Sequence, residues 1–202
     1  MSAPAIPIPY VLAYADEAVP QPLIFTEPGL SGEVRLEFID PRPSDRINGV
    51  LRVRVRTNMR GAVRWRKLNA RRQWECLRKN LCQVCKRPAT DADGRLPWLL
   101  TEKVYQPIAD DRYGTTAPPT CRECIPLSLA HCPQLNGAPT LCTAAYAEPV
   151  GVLGDLYRCG PRGEAFLARE NVYADWGAAA LPRILARLAV VELRDMEPEP
   201  LP

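Results

Sequence analysis

Histidine is almost absent from this chain, and its scarcity excludes several classes of active site. The 202 residues include one histidine, His131. Catalytic zinc sites with two or three histidine ligands are therefore excluded, as are metal-ion nucleases that use a histidine pair. A serine–histidine–aspartate triad would have to use His131. We expect no enzymatic activity and no small-molecule substrate.

The sequence also lacks a long apolar run, and its first residues do not have the pattern of a signal peptide. A membrane-spanning helix needs about 18 or more apolar residues in succession. The closest approach, residues 177–193, is interrupted by Arg183 and Arg187. The N-terminal residues carry no positive charge ahead of their apolar stretch, and prolines interrupt that stretch. We therefore expect a cytoplasmic protein with no membrane partner.

Acidic residues are scarce in one part of the chain, although the formal net charge is only +3. Residues 52–87 contain 13 lysines and arginines and one acid, Glu75, while the rest carries 13 basic and 22 acidic residues. Clustered basic side chains are typical of a polyanion-binding surface. We predict such a surface, formed by Arg52, Arg54, Arg56, Arg64, Arg66, Arg71, Arg72, Arg78 and Lys79. The alternative interpretation is that these side chains form an ordinary solvated surface, whose charge is partly neutralised by the acidic residues outside 52–87.

Alternating apolar and polar residues predict two β-strands, residues 33–40 and 49–56. The linker between them suits an antiparallel hairpin. Glu33 and Glu37 would then face the arginines of the second strand and make part of the basic stripe structural.

An amphipathic helix is predicted after Asn69, which is a suitable N-cap. Its apolar stripe is spaced at helical periodicity and leaves the basic residues mostly outside. We interpret Trp65 and Trp74 as core side chains rather than as platforms on which bases stack. The stripe consists of Ala70, Trp74, Leu77 and Leu81.

Eight cysteines in a reducing compartment favour metal ligation or free thiols over disulfides. Cys82 and Cys85 form one Cys-x-x-Cys pair, and Cys121 and Cys124 form another 35 residues later. Two such turns supply the four thiolates that structural zinc prefers. With Pro126 placed for the first turn of a helix, the pattern predicts one structural Zn²⁺ in a treble-clef-like module.

Other interpretations of the cysteines are disfavoured or left open. A redox motif needs a βαβ context that is missing around Cys82. A zinc deaminase has a proline directly before its Cys-x-x-Cys pair, whereas Thr120 precedes Cys121 in this chain. Disulfides and free thiols remain alternatives. The sequence leaves open a second metal site; the remaining candidate ligands are Cys76, His131, Cys132, Cys142 and Cys159.

These features predict a protein of the α+β class. The C-terminal part is expected to contain two short strands over 143–159, a helix over 163–188 and a strand over 189–193. The predicted parts are an extended N-terminal arm (1–32), a β-hairpin with the basic helix (33–75), the zinc module (76–135), a small C-terminal α+β part (136–196) and a disordered tail (197–202).

About half of the chain, from Asp40 to Leu135, resembles a family of uncharacterised proteins from Streptomyces and their phages. The resemblance is carried by the Arg-Gln-Trp lead-in, the Cys-Gln-Val-Cys pair, the Pro-Pro-x-Cys-x-x-Cys pair and the following Cys-Pro-x-Leu. It implies a bacterial host cell. The cysteine pattern is also similar to zinc-bound HNH endonucleases, but residues 86–120 lack the catalytic histidine of that class. A degenerate HNH-like nuclease is therefore the weaker alternative.

In this setting we expect an accessory or regulatory protein that acts on DNA or on a DNA-bound protein such as a recombinase or polymerase. The most specific hypothesis is a recombination directionality factor, which binds a large serine integrase and promotes excision. A phage transcription regulator and an inhibitor of a host enzyme are the alternatives.

Overall fold

A computed structural model describes residues 8–26, 34–109 and 111–202 of the chain. These residues form a mixed α+β structure made mostly of strands. The helices are α1 (Ala70–Lys79) and α2 (Ile125–His131), and short 3-10 turns cover Ala15–Glu17, Pro43–Asp45, Arg122–Cys124, Pro133–Leu135 and Leu181–Arg183. The strands are β1 (Leu12–Tyr14), β2 (Leu23–Thr26), β3 (Arg35–Phe38), β4 (Arg46–Ile47), β5 (Val50–Arg52), β6 (Val63–Leu68), β7 (Leu96–Leu100), β8 (Tyr105–Ala109), β9 (Arg112–Thr115), β10 (Thr140–Cys159), β11 (Ala165–Asp175) and β12 (Ile184–Glu199).

The largest sheet has eight strands and is organised around β10 and β12. Its path runs β11-β10-β12-β5-β4, while β7 pairs with β10, and β9 pairs with both β12 and β8. β10 and β12 are antiparallel, and β5 runs parallel to β12. On the other side of β10, β7 pairs with residues 140–144 and β11 with residues 151–159. Strands from three of the predicted parts therefore share one sheet.

Helix α1 is capped by an asparagine at each end, Asn69 and Asn80. The side chain of Asn69 accepts a hydrogen bond from the Arg72 backbone N–H, as predicted for an N-cap. Asn80 follows the last turn in the left-handed conformation, with φ +52°. The amide of Gln73 pairs with both backbone groups of Ala189, at 2.9 and 3.1 Å, and so docks the helix on β12.

The predicted hairpin between residues 33–40 and 49–56 is wrong. β3 pairs with β2, and β5 pairs with β4 through a two-residue turn at Asn48-Gly49. Both turn residues have positive φ, +48° and +81°, which is the geometry that an Asn-Gly sequence favours in a tight hairpin. Glu37 consequently pairs with Arg35 and Arg46. Glu33 lies outside the described residues.

The N-terminal part contributes strands to the fold. β1 pairs with β6, and β2 pairs with β3, although the sequence predicts an extended arm here. Residues 1–7 and 27–32 of the predicted arm lie outside the described residues. Further along the chain, every residue of β7 is buried.

The C-terminal part differs most from the sequence-based expectation. The predicted helix over 163–188 is wrong, because β11 and the start of β12 occupy most of it. The two short strands predicted over 143–159 are one strand, β10, in which a register shift accommodates Pro149. Long-range pairing with β10 overrides the local helix preference. Residues 197–199 belong to β12, so the predicted disordered tail is wrong for them.

Candidate metal centre and basic surface

The first cysteine pair lies in a tight turn directly after α1. A bridge between Leu81 and Pro88 closes the turn, and the Cys82 N–H donates to the Arg87 carbonyl at 2.8 Å. The Lys86 N–H donates a hydrogen bond to the Cys82 carbonyl at 3.0 Å, and Lys86 has a positive φ of +66°. Both cysteines of the pair are thus held on one compact loop.

The second pair lies at the start of a helical segment. Cys121 precedes the 3-10 turn, and Cys124 leads into α2, with Pro126 in its first turn as predicted. Gln83 joins the two pairs, because its backbone N–H donates to the Pro119 carbonyl at 2.9 Å and its side chain donates to the Thr120 hydroxyl at 2.9 Å. The chain therefore holds both pairs together without using the thiols.

The sulfur atoms of Cys82, Cys85, Cys121 and Cys124 lie within 4.8 Å of one another. Three of these residues are buried, and Cys85 is half-buried. The Cys85 and Cys121 sulfurs are 3.7 Å apart. Tetrahedral coordination with Zn–S bonds of about 2.3 Å places sulfurs about 3.8 Å apart. The cluster could hold a metal ion.

The thiols of the cluster have unequal acidities. Burial acts to raise the pKa of Cys85, but hydrogen bonds from Arg87 and from neighbouring thiols lower it to about 7. Burial and the nearby Cys82 sulfur raise the pKa of Cys121 to about 11, and burial raises that of Cys124 as well. Four adjacent thiolates repel one another, so a cation is the natural partner of the fully ionised set.

The other candidate ligands form no second cluster within the described part of the chain. Among the residues that the structure describes, they join no cluster of three or more potential ligands. Cys76 and Cys142 are buried, and burial raises their pKa values to about 12 and 11. This remaining set consists of Cys76, His131, Cys132, Cys142 and Cys159.

Arg54 does not belong to a free basic surface. Its guanidinium lies 2.7 Å from carboxylates of both Asp40 and Asp45, and it stacks over the Phe38 ring at 3.9 Å. Its side chain is 13% exposed. The prediction that Arg54 helps to bind a polyanion is wrong, because its charge is already neutralised.

Arg72, which the sequence analysis places in the polyanion-binding surface, is buried. It is 1% exposed and lies 2.6 Å from Glu17, which is 2% exposed. The Arg72 guanidinium therefore stabilises the fold, and the prediction that it contributes to a polyanion-binding surface is wrong. The sequence carries no local signal for this ion pair, since its partners are 55 residues apart.

The remaining predicted bases are accessible to different degrees. Arg56, Arg64, Arg66, Arg71 and Arg78 are exposed and form no ion pair with any described residue, whereas Lys79 pairs with Glu75 at 3.0 Å. Trp65, expected in the core, is 55% exposed in β6. We call the exposed unpaired bases of β6 and α1 the basic surface; they are Arg64, Arg66, Lys67, Arg71 and Arg78.

A cavity of about 630 Å³ lies beside α1, and we call it the basic groove. Arg52, which is half-buried, lines it with Arg71 and Arg78 from the helix. Trp74 forms part of its wall, and the Arg52 guanidinium lies 5.6 Å from the centre of that ring. The helix therefore presents part of its basic side to a groove that is open to solvent.

Comparison with protein-family models, curated protein sequences and solved structures found no match. Neither helix in the described part of the chain has the length and apolar character needed to cross a bilayer. The cysteine cluster and the distribution of basic side chains are therefore the features of this chain that bear on its function.

Proposed function

We propose that this protein is a non-enzymatic accessory factor that binds DNA through the basic surface and is stabilised by one zinc ion. The observation that carries the proposal is the uneven pairing of charge in residues 52–87. Of the 13 lysines and arginines there, five form ion pairs with described residues and eight form none. An unneutralised concentration of cations of this size attracts a polyanion such as DNA.

The chemistry of the cysteine cluster supports zinc as the metal. Four thiolates whose sulfurs lie within 4.8 Å of one another suit Zn²⁺, and a site with four protein ligands has no open position at which water could be activated. The first pair lies on a tight turn and the second at the start of α2, with the β8–β9 hairpin between them. This order agrees with a treble-clef-like module in which the metal is structural.

Native mass spectrometry of the protein purified without added metal tests the zinc assignment. We expect one zinc per chain, released when the thiolates are protonated or when a strong chelator is added. Four free thiols with no bound metal, or a disulfide between the two pairs, would contradict the assignment.

Duplex binding as a function of salt tests the DNA assignment. Each phosphate that the protein neutralises contributes about −0.9 to the slope of log K against log salt. We expect a steep slope on duplexes of unrelated sequence, because the proposed contacts are to phosphates. Salt-independent binding, or none at low salt, would contradict the assignment and favour contact with a DNA-bound protein.

A recombination directionality factor is the most specific form of this proposal, and it stays a prediction. It adds one requirement, a defined complex with a serine integrase, which co-purification of the two proteins would test. Formation of the complex by a variant that no longer binds DNA would separate the integrase contact from the DNA contact.

A further inference from the structure

Cations predominate among the charged side chains that line the basic groove. Its lining includes five cationic side chains and one carboxylate, that of Glu75. Arg72 is neutralised by Glu17, and Lys86 lies 3.8 Å from Glu75. The three lining cations that form no ion pair with a described residue are Arg52, Arg71 and Arg78.

Arg52 is the most informative of these three. It is half-buried, and its Nε is buried without a hydrogen-bond partner among the described residues. One terminal nitrogen donates to the Ser44 carbonyl at 3.1 Å, and no carboxylate of the described residues pairs with the guanidinium. Burial, followed by repulsion from Arg71, lowers its pKa. A partly desolvated cation in this position is costly unless an anion completes it.

The size and walls of the groove limit which anion fits. A volume of about 630 Å³ is far larger than a phosphate ion needs and lies in the usual range for small-molecule sites. Tyr10 and Trp74 provide aromatic surface beside the arginines. Glu75 is already occupied by the Tyr10 hydroxyl at 2.7 Å and by Lys79, so it competes weakly for the arginines.

We propose that the basic groove binds a phosphomonoester attached to a nucleoside, either at the end of a DNA strand or in a free nucleotide. Three unpaired guanidiniums match the charge of a phosphomonoester, which is about −2 at neutral pH, better than the single charge of an internal diester. The aromatic wall matches the attached base. The inference rests on the proposed function only where the phosphomonoester is the end of a DNA strand; binding of a free nucleotide does not depend on it.

The experiment uses the metal-loaded full chain and two matched pairs of probes. One pair is a short duplex with phosphates on all strand ends and the same duplex with hydroxyl ends. The other pair is deoxythymidine monophosphate and thymidine. We expect the phosphorylated member of at least one pair to bind at least about tenfold more tightly, the effect of one strong charge-assisted contact.

Variants locate the effect in the groove. Arg52→Gln and the exposed Arg71→Gln should each remove the preference for phosphate, and Arg71→Gln remains informative if Arg52→Gln folds poorly. Arg60→Gln is the matched control, because Arg60 is exposed, has no ion pair with a described residue and does not line the groove.

The outcomes separate this inference from the proposed function. A preference in the duplex pair assigns the phosphomonoester to strand ends, and a preference in the nucleotide pair alone assigns it to a free nucleotide. Equal binding within both pairs, or a preference that survives Arg71→Gln, overturns the inference. Binding to closed circular DNA, which has no strand ends, tests the proposed function by itself.

Discussion

Glu17 and Arg72 form a buried ion pair that joins the N-terminal segment to α1. The two side chains are 2.6 Å apart and each is 2% exposed. Glu17 also accepts hydrogen bonds from the Tyr14 backbone N–H and the Asn69 side chain, both at 2.9 Å. Asn69 is the N-cap of α1, and Tyr14 is the last residue of β1. The Glu17 carboxylate therefore joins the start of the helix to the end of that strand.

Removing one partner of this pair should destabilise the fold. Glu17→Gln leaves the Arg72 charge buried without a counterion, and we expect a loss of about 3–5 kcal/mol in the free energy of unfolding. The double variant Glu17→Met with Arg72→Met removes both charges and should be much closer to the wild type. Urea unfolding measures both values. Equal destabilisation of the single and double variants would contradict a charge-based effect.

The same pair predicts the sign of a pH effect. Burial acts to raise the pKa of Glu17, but its hydrogen bonds, that of Arg72 foremost, hold the pKa below its ordinary value. The stabilisation is therefore fully present above the unfolded-state pKa of about 4.3 and is lost as the pH falls through the lower folded-state value. The wild type should lose stability in acid more steeply than Glu17→Gln, as measured by urea unfolding at a series of pH values. Parallel pH profiles would contradict this role.

The metal centre predicts a local dependence of stability on the cysteines. Cys124→Ser removes one ligand and should lower the melting temperature strongly, because structural zinc contributes to the folding free energy. Hydrogen exchange should show lost protection in residues 82–89 and 119–124. Cys132→Ser is the control, since Cys132 is half-buried and lies outside the cluster. Similar effects of the two substitutions would contradict a metal-ligand role for Cys124.

Close approach of two strands explains a glycine in β10. A Cβ at Gly154 would lie 2.5 Å from the Leu185 carbonyl oxygen of β12, so Gly154→Ala must push the strands apart. We expect a loss of about 1–3 kcal/mol, the usual cost of overpacking. At Gly137 a Cβ meets nothing within 4 Å, and Gly137→Ala should be nearly neutral. Thermal unfolding of both variants checks this contrast, and equal melting temperatures would refute it.

The parts of the fold that the sequence predicted are those with local signals. The cap at Asn69 and the helix after it follow from spacing over a few residues, and the cysteine cluster follows from two Cys-x-x-Cys pairs, each of which is a local motif. The Asn48-Gly49 turn also had a local signal, and giving it more weight would have placed the β4–β5 hairpin correctly.

Long-range pairing accounts for what the sequence did not predict. The ion pair that buries Arg72 and the hydrogen bonds from Gln73 to β12 join residues 55 and 116 positions apart. The C-terminal strands likewise depend on pairing with β10, which overrides the local helical pattern of residues 163–188. A count of arginines therefore overestimated the basic surface, since burial and pairing remove Arg54 and Arg72 from it.

The most direct test of the account compares the salt dependence of duplex binding in two triple variants. Arg64→Gln with Arg66→Gln and Lys67→Gln removes three cations of the basic surface. Lys103→Gln with Arg169→Gln and Arg183→Gln removes three exposed cations elsewhere that form no ion pair with a described residue. The first variant should reduce the log–log slope by up to about 2.7, at about 0.9 for each lost phosphate contact, while the second leaves it unchanged. Equal slopes in the two variants would contradict the proposal that this surface binds DNA.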